Sequence, residues 1–471
     1  MHPETGFRTH QGAIFLTPAD YPTVLRYATR VGLGIELYSS DPVATSFVLA
    51  NGDSQPMLLT APDSPYSERL RTLAADFRGF LNACRRFSVL YKKLKPTLFK
   101  RGGLPAVLRA SPELAANMDA WLEDNDLSLL NPIAAQVLLQ TGYGHLYETS
   151  AASALQYLSP YTLLAGLASS GVDTSKLLTA ADRLGFNHSV YMFDNDVGFA
   201  EVMQRCTRLL PDGTLRLNVA ITSMQRPAPD DAAPGSPVTV TYTQTGRAGS
   251  TTVRCGALVN TVAQALPNLG FLQLDDVEQA LFSRVVWARY FTVAMLVTPK
   301  LREGMYVLPL PRDDGTFRRV RLSRLRGDRF ENKPVLPLLS AIVDPSPYRG
   351  EVTALYSVNH GSANRPPGVP YSADPGLLVA YSYTDVPMSS AEIAAKAVRM
   401  VNGTLRRAQA LETFEFIYYP RVGESDLKGG WMERMDALQG RRSTYHAGGL
   451  FTFWDVEGAF RSGFDLVDRF F

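Results

Sequence analysis

The stretch that decides the fold lies near the C-terminus: Thr444-Tyr445-His446-Ala447-Gly448-Gly449, then Trp454-Asp455-Val456-Glu457-Gly458-Ala459, then Ser462-Gly463. Residues 444–447 read as a short strand. The two glycines let the backbone bend and approach a ligand closely. A helix over about 455–469 follows, with Gly458, Ala459, Ser462 and Gly463 on or near one face, so it can pack tightly against a flat or thin partner. Its N-terminal N–H groups and partial positive charge suit a phosphate or the carbonyl edge of a heterocycle. Spacing alone equally fits a strand–turn–helix hairpin whose glycines serve only packing.

Working outward, Gln439-Gly440 precedes this element, and the whole resembles the C-terminal FAD motif of the flavin amine oxidase superfamily. The branch it is most similar to holds fungal and bacterial FAD-dependent oxidoreductases and the polyenoic fatty acid isomerase. Thr5-Gly6 through Gly12-Ala13-Ile14-Phe15 resembles the segment just after the Rossmann unit of that family. Gly142-Tyr143-Gly144 resembles a loop of its helical domain. Val197-Gly198-Phe199, with Leu217-Asn218-Val219 and Ile221, resembles the helix and strand flanking the adenosine end of FAD. The resemblance implies FAD as cofactor, with the backbone of Val219 near adenine and Gly448 and Gly449 beside the ribityl chain. It also implies that Glu457, Gly458 and Ala459 sit at the helix end facing the pyrimidine ring.

Two features depart from the family pattern. No G-x-G-x-x-G occurs in the chain, although such glycines admit the pyrophosphate in a dinucleotide-binding domain. Met1 falls where that unit should just have ended, so at least ~30 residues of a βαβ unit are expected to be absent. His446 stands where relatives often carry an aromatic residue.

Along the rest of the chain, apolar residues recur three and four apart from Ser67 to about Gly171, for example Leu70, Leu73, Phe77 and Leu81, which predicts helices. The sequence predicts a helix over 196–210 and strands over 214–224, 238–242 and 257–261. Helical spacing over 275–290 precedes strands over 292–297, 305–310, 352–356 and 377–383. Ser389-Ser390-Ala391-Glu392 has capping-box spacing and opens a helix predicted over 389–410, before a strand over 414–419. The expected fold class is α/β: a discontinuous FAD-binding domain lacking its first βαβ unit, plus a substrate domain of mixed β-sheet and helices. The FAD-binding parts are 1–60, 186–270 and 411–471; the substrate domain is helical over 61–185 and sheet-forming over 271–410.

Composition narrows the partners. The 471 residues suggest roughly three domain-sized units. With 47 Lys+Arg against 45 Asp+Glu, the net charge of +2 creates no field that would draw nucleic acid. Cys84, Cys206 and Cys255 are far apart and form no C-x-x-C pair, so no zinc site or disulfide framework is expected. No apolar run reaches about 18 residues, so no transmembrane segment is expected. Met1-His2-Pro3-Glu4 opens a polar N-terminus without a secretory pattern, and the expected location is cytoplasmic.

The candidate substrate-cavity residues are Tyr143, Tyr381, Tyr383, Tyr445, His446, Phe453 and Trp454, although aromatics on strands also build cores. Tyr445 and His446 point to opposite faces of a strand, so at most one faces a flavin. His145 reads as a loop histidine, and His188 and His360 lack the carboxylate spacing of metal ligands. Neither G-x-S-x-G nor H-E-x-x-H occurs. The catalytic residues are not named by any motif. The function expected is hydride transfer from an apolar or amine small molecule to flavin N5, chemistry that the cofactor carries. Alternatives are a redox-neutral double-bond isomerase of polyunsaturated fatty acids, or a non-catalytic protein that kept the fold.

Overall fold

The computed structural model describes residues 16–37, 46–48, 77–163, 191–193, 198–228, 236–298, 304–307, 349–357, 376–384, 386–404 and 407–471. The segment 5–15, His188, His360 and most of the 305–310 strand lie partly or wholly outside them.

Helix α1 (Pro22–Arg30) leads into β1 (Ile35–Leu37), and β2 (Ser46–Val48) follows. The predicted helical region holds α2 (Phe77–Leu98), α3 (Gly103–Ala110), α4 (Met118–Asp124), α5 (Asn131–Gln140) and α6 (Ala151–Tyr157). Strand β3 (Tyr191–Phe193) pairs antiparallel with β1, and α7 (Gly198–Thr207) comes next. Strands β4 (Val219–Gln225), β5 (Val238–Gln244) and β6 (Ser250–Cys255) form an antiparallel meander. Strand β6 was not predicted: most of its residues are exposed, so no apolar alternation betrays it. Strand β7 is Leu258–Asn260.

Helix α8 (Asp276–Phe282) ends well short of residue 290, because the chain enters the long strand β8 (Val285–Thr298). Val285, Tyr290 and Phe291 are buried in sheet contacts, and this tertiary burial overrides the helical spacing. Strands β9 (Gly304–Val307), β10 (Arg349–Ser357) and β11 (Gly376–Thr384) complete most of a mixed sheet. Helix α9 (Ser390–Thr404) opens with the predicted capping box, in which Ser389 N donates to Glu392 Oε2 at 2.7 Å. It does not run on to Ala410; Arg407 already starts β12 (Arg407–Val422), which pairs along β8. The sheet order is β12-β8-β11-β10-β9-β2.

That sheet has two different faces. Phe291, Val293, Met295, Leu378 and Ala380 pack against Ile393, Ala397, Met400 and Val401 of α9, whose spacing puts them on one stripe. Tyr290, Tyr381 and Tyr418 belong to the opposite face, where their rings stack on one another. Helices α10 (Glu424–Lys428) and α11 (Trp431–Asp436) then place the fully buried Trp431 in the core shared with the helical region. Strand β13 (Thr444–His446) pairs parallel with β7, and α12 (Val456–Phe470) ends the chain. Among the described residues no helix is long and apolar enough to cross a membrane.

Candidate active site

The parallel pair β7–β13 ends at Asn260 and His446, which are register partners. Ligands of open α/β folds gather outside the carboxyl ends of such strands. Ala447 N donates to Asn260 O, and Gln264 Nε2 donates to Ala447 O at 3.0 Å. On the free edge of β13, Gln439 replaces a neighbouring strand: its side chain accepts from His446 N and donates to His446 O. Gly448 then takes φ 128°, a conformation that a side chain resists, while its N–H donates to Ser462 Oγ on α12.

The glycines differ in what they accommodate. A Cβ on Gly448 would stand 3.8 Å from Gln264 Oε1, an oxygen that is buried and has no hydrogen-bond partner. A Cβ on Gly449 would collide with the Trp454 ring at 2.2 Å, and one on Gly458 with Phe453 O at 2.3 Å. Gly449 and Gly458 therefore serve close packing within the protein, whereas Gly448 faces an unsatisfied polar atom.

Asp455 caps α12, its Oδ1 accepting from Gly458 N at 2.6 Å. Ala459 N donates to Asp455 O, so Val456 and Glu457 carry the first-turn N–H groups that no helical carbonyl can reach. The Glu457 carboxylate is itself engaged: it accepts from Thr23 N and Val24 N at 2.9–3.1 Å. Helix α1 has no side-chain cap of its own, so Glu457 supplies one from 434 residues away in sequence.

Beside this helix end lies a cluster of aromatic rings drawn from separate elements. Tyr143, on the loop after α5, has Phe453 at 4.5 Å, Tyr157 at 5.0 Å, Tyr419 at 5.4 Å and Tyr418 at 5.7 Å. Its loop fits there because Gly142, with φ 81°, leaves room for Tyr290; a Cβ would meet that ring at 2.4 Å. Successive strand residues normally point to opposite faces. Here a bulge sets Tyr419 and Pro420 opposite the single residue Trp287, and Tyr419 takes φ 48°, so Tyr418 and Tyr419 both reach Tyr143.

Burial pushes the phenols of Tyr143, Tyr157, Tyr290, Tyr381 and Tyr418 up, so all are neutral donors or π faces at ordinary pH. Asp455 is an electrostatic neighbour of Tyr21, Tyr143, Tyr157 and Tyr418. Burial pushes its carboxyl up to about 7, against the opposing Gly458 hydrogen bond. Tyr157, Tyr418 and Asp455 are half-buried and keep accessible surface beside these rings, the side on which a ligand can reach the cluster.

Of the residues proposed from sequence, Tyr143 and Phe453 are central to this cluster, and Tyr381 joins through Tyr290. Trp454 flanks it on Gly449, and Tyr383 is buried on β11. Tyr445 turns away onto Phe470 and Phe471. His446 points inward to Phe282, with Nδ1 3.3 Å from Asn260 Nδ2 and Nε2 without a partner; burial holds its imidazole down at about 4. Val219 starts β4, on the largely exposed meander, where it pairs with Gln244. Ala459 is exposed on the first turn of α12. Tyr157, Tyr290, Tyr418, Gln264 and Asp455 were not named from sequence; only the D-x-x-G cap spacing of Asp455 offered a local signal.

The chemistry of these residues is compatible with one end of the FAD that the sequence resemblance implies. The N–H groups of Val456 and Glu457, without partners among the described residues, the positive-φ turn at Gly448 and the acceptor Gln264 Oε1 would suit the polar edge of the ring system and a hydroxylated chain. The sequence has no glycine-rich loop for the pyrophosphate.

No protein-family profile matches the chain, and no curated protein sequence does. Among solved structures, a conjugated-linoleic-acid-producing fatty acid isomerase from P. acnes superposes with TM-score 0.64 at 19% identity, over 100% of this chain and 89% of that one. The chain shares the fold of that isomerase. An oxidoreductase from Methanosarcina mazei gives TM-score 0.47 at 9% identity, covering 94% of this chain and 84% of its own. Cyclohexylamine oxidase from Brevibacterium oxydans gives 0.46 at 14%, covering 98% and 87%. At these identities the likeness concerns the fold alone.

Proposed function

We propose that the chain is an FAD-dependent oxidoreductase that moves a hydride from an apolar or amine small molecule to flavin N5. The observation that carries this reading is the aromatic recess at the N-terminus of α12, next to unpaired N–H donors and the acceptor Gln264. Bound FAD supplies the two-electron chemistry. Gly448, Gln264 and the first turn of α12 hold and orient it; Val219 lies toward its adenosine end. Tyr143, Tyr157, Tyr418 and Phe453 shape a dry, apolar space for the substrate. The FAD-binding part combines 1–60, 186–270 and 411–471, with the substrate domain between.

The test is the absorption spectrum of the purified protein incubated with FAD and then desalted. A retained band at about 450 nm supports the reading; a colourless protein rejects it and leaves a fold without cofactor.

A second reading is a redox-neutral double-bond isomerase of polyunsaturated fatty acids, in which the hydride returns to the same substrate. The whole-chain likeness to the P. acnes isomerase favours it. Consumption of oxygen or another acceptor in proportion to product selects the oxidoreductase; product without acceptor consumption selects the isomerase.

A further inference from the structure

Hydride loss from carbon has one requirement common to both readings. The C–H bond breaks, both electrons leave with the hydrogen to the two-electron acceptor, and the carbon or its neighbouring heteroatom is left with one positive charge. A recess that favours this step presents negative potential where that charge develops.

The recess is built that way. The faces of tyrosine and phenylalanine rings carry negative potential and attract cations. Tyr143, Tyr157, Tyr418, Tyr419 and Phe453 enclose one another within 4.5–5.7 Å ring separations. Asp455 adds a carboxyl among them. Oδ1 is fixed by Gly458 N, while Oδ2 takes no hydrogen bond among the described residues, although the residue keeps accessible surface.

The neighbouring acid Asp20 is spent differently. Its Oδ2 accepts from Thr17 Oγ1 at 2.6 Å, Ser159 Oγ at 2.7 Å and Thr162 Oγ1 at 3.3 Å. Glu457 is consumed by the end of α1. Arg461, the cation acting on Asp455 among the described residues, lies over the Phe99 ring at 4.5 Å and donates to Gln156 Oε1 at 3.2 Å.

We propose that Asp455 is a catalytic residue: its unpaired carboxylate oxygen, on the side where Tyr157 and Tyr418 keep accessible surface, stabilises the positive charge that forms on substrate as hydride departs. This rests on the hydride-transfer reading above. The groups that set its charge state are, after burial, the Gly458 N–H, Glu457 and Arg461 on α12 and Asp20 ahead of α1; the phenols of Tyr21, Tyr143, Tyr157 and Tyr418 face it as neutral groups. Burial leaves the carboxyl half-ionised near neutrality, and a cation in the recess pulls it to the ionised form.

The test uses the full chain, a stable cation as mimic of the charged state, and a neutral isostere. Calorimetric titration compares cyclohexylammonium with cyclohexanol at pH 8, on wild type and on Asp455→Asn. Asparagine keeps an N-cap acceptor, so the helix end survives; circular dichroism and melting check that. The expected result is preference for the cation by about tenfold or more, lost in the asparagine variant while cyclohexanol binding is unchanged. The preference also fades in wild type between pH 8 and pH 5. Equal cation binding by the two proteins, or no preference for the cation, overturns the role of Asp455. Flavin retention, read separately from the absorption spectrum, reports on the underlying hydride-transfer reading and does not depend on this outcome.

Discussion

Two regions flank the C-terminal strand β13, and they treat buried charge in opposite ways. On one side, Arg226 and Glu278 form a bidentate ion pair at 2.7 Å with both side chains almost fully buried. Arg226 also donates to Leu272 O and Gln273 O, and Arg442 adds bonds to Pro227 O, Gln273 O and Glu278. Arg441 pairs with Asp275, which caps α8. This web holds Arg442 and Ser443 at φ 53°, a conformation such residues adopt only when their surroundings enforce it. On the other side, Asp455 Oδ2, Gln264 Oε1 and the N–H groups of Val456 and Glu457 have no hydrogen-bond partner among the described residues. Satisfied buried polar groups fix a structure; unsatisfied ones beside a recess wait for a ligand. On the proposed function, the first side is scaffold and the second is the surface that meets the flavin.

Breaking the scaffold gives the largest effect. Glu278→Gln leaves Arg226 charged and buried, and the fold is expected to lose ~3–5 kcal/mol in denaturant unfolding. Glu457→Ala removes the remote cap of α1 and is expected to cost ~2 kcal/mol, read the same way. If Glu457 instead spared stability and altered only flavin binding, it would belong to the working side.

Titration sharpens the contrast. Asp455 holds its proton up to about pH 7 in the fold but only to 3.8 when unfolded, so stability falls as pH rises through that window. His446 is depressed from 6.5 to about 4, so its contribution is present above 6.5 and lost as pH falls toward 4. The two oppose one another in wild type. Asp455→Asn removes the first contribution, and from pH 4 to 7 its stability relative to wild type should rise by ~3 kcal/mol. A constant difference across that range would show that Asp455 is ionised in the fold.

The smallest change is on α12 itself. A Cβ on Gly463 meets nothing within 4 Å, so Gly463→Ala should raise stability by ~0.5–1 kcal/mol in a melting experiment.

The sequence made the strand–glycine–helix element legible because its signals are local: a turn at Gly448-Gly449 and a cap before Val456. The capping box at Ser389 was legible for the same reason. Helix ends facing long strands were not. Arg407-Ala408-Gln409-Ala410 carries good helix formers, yet pairing with β8 claims it for β12. The recess was legible in part. Tyr143 and Phe453 stood out, but Tyr157, Tyr290 and Tyr418 arrive from α6, β8 and β12 and meet only in three dimensions. Nothing in the order Trp454-Asp455-Val456 reveals that the carboxyl comes within electrostatic reach of several phenols. Tyr445 and His446 were read as alternatives facing one site; the pleat separates them, and both turn to other neighbours.

The central claim is that the unpaired groups at the end of β13 and α12 receive a flavin. The most direct measurement is a titration of FAD followed by quenching of its fluorescence, with wild type beside Gln264→Leu. Saturable quenching by wild type, weakened about tenfold in Gln264→Leu, is the predicted result. No quenching by wild type, or equal affinity in both proteins, would contradict it.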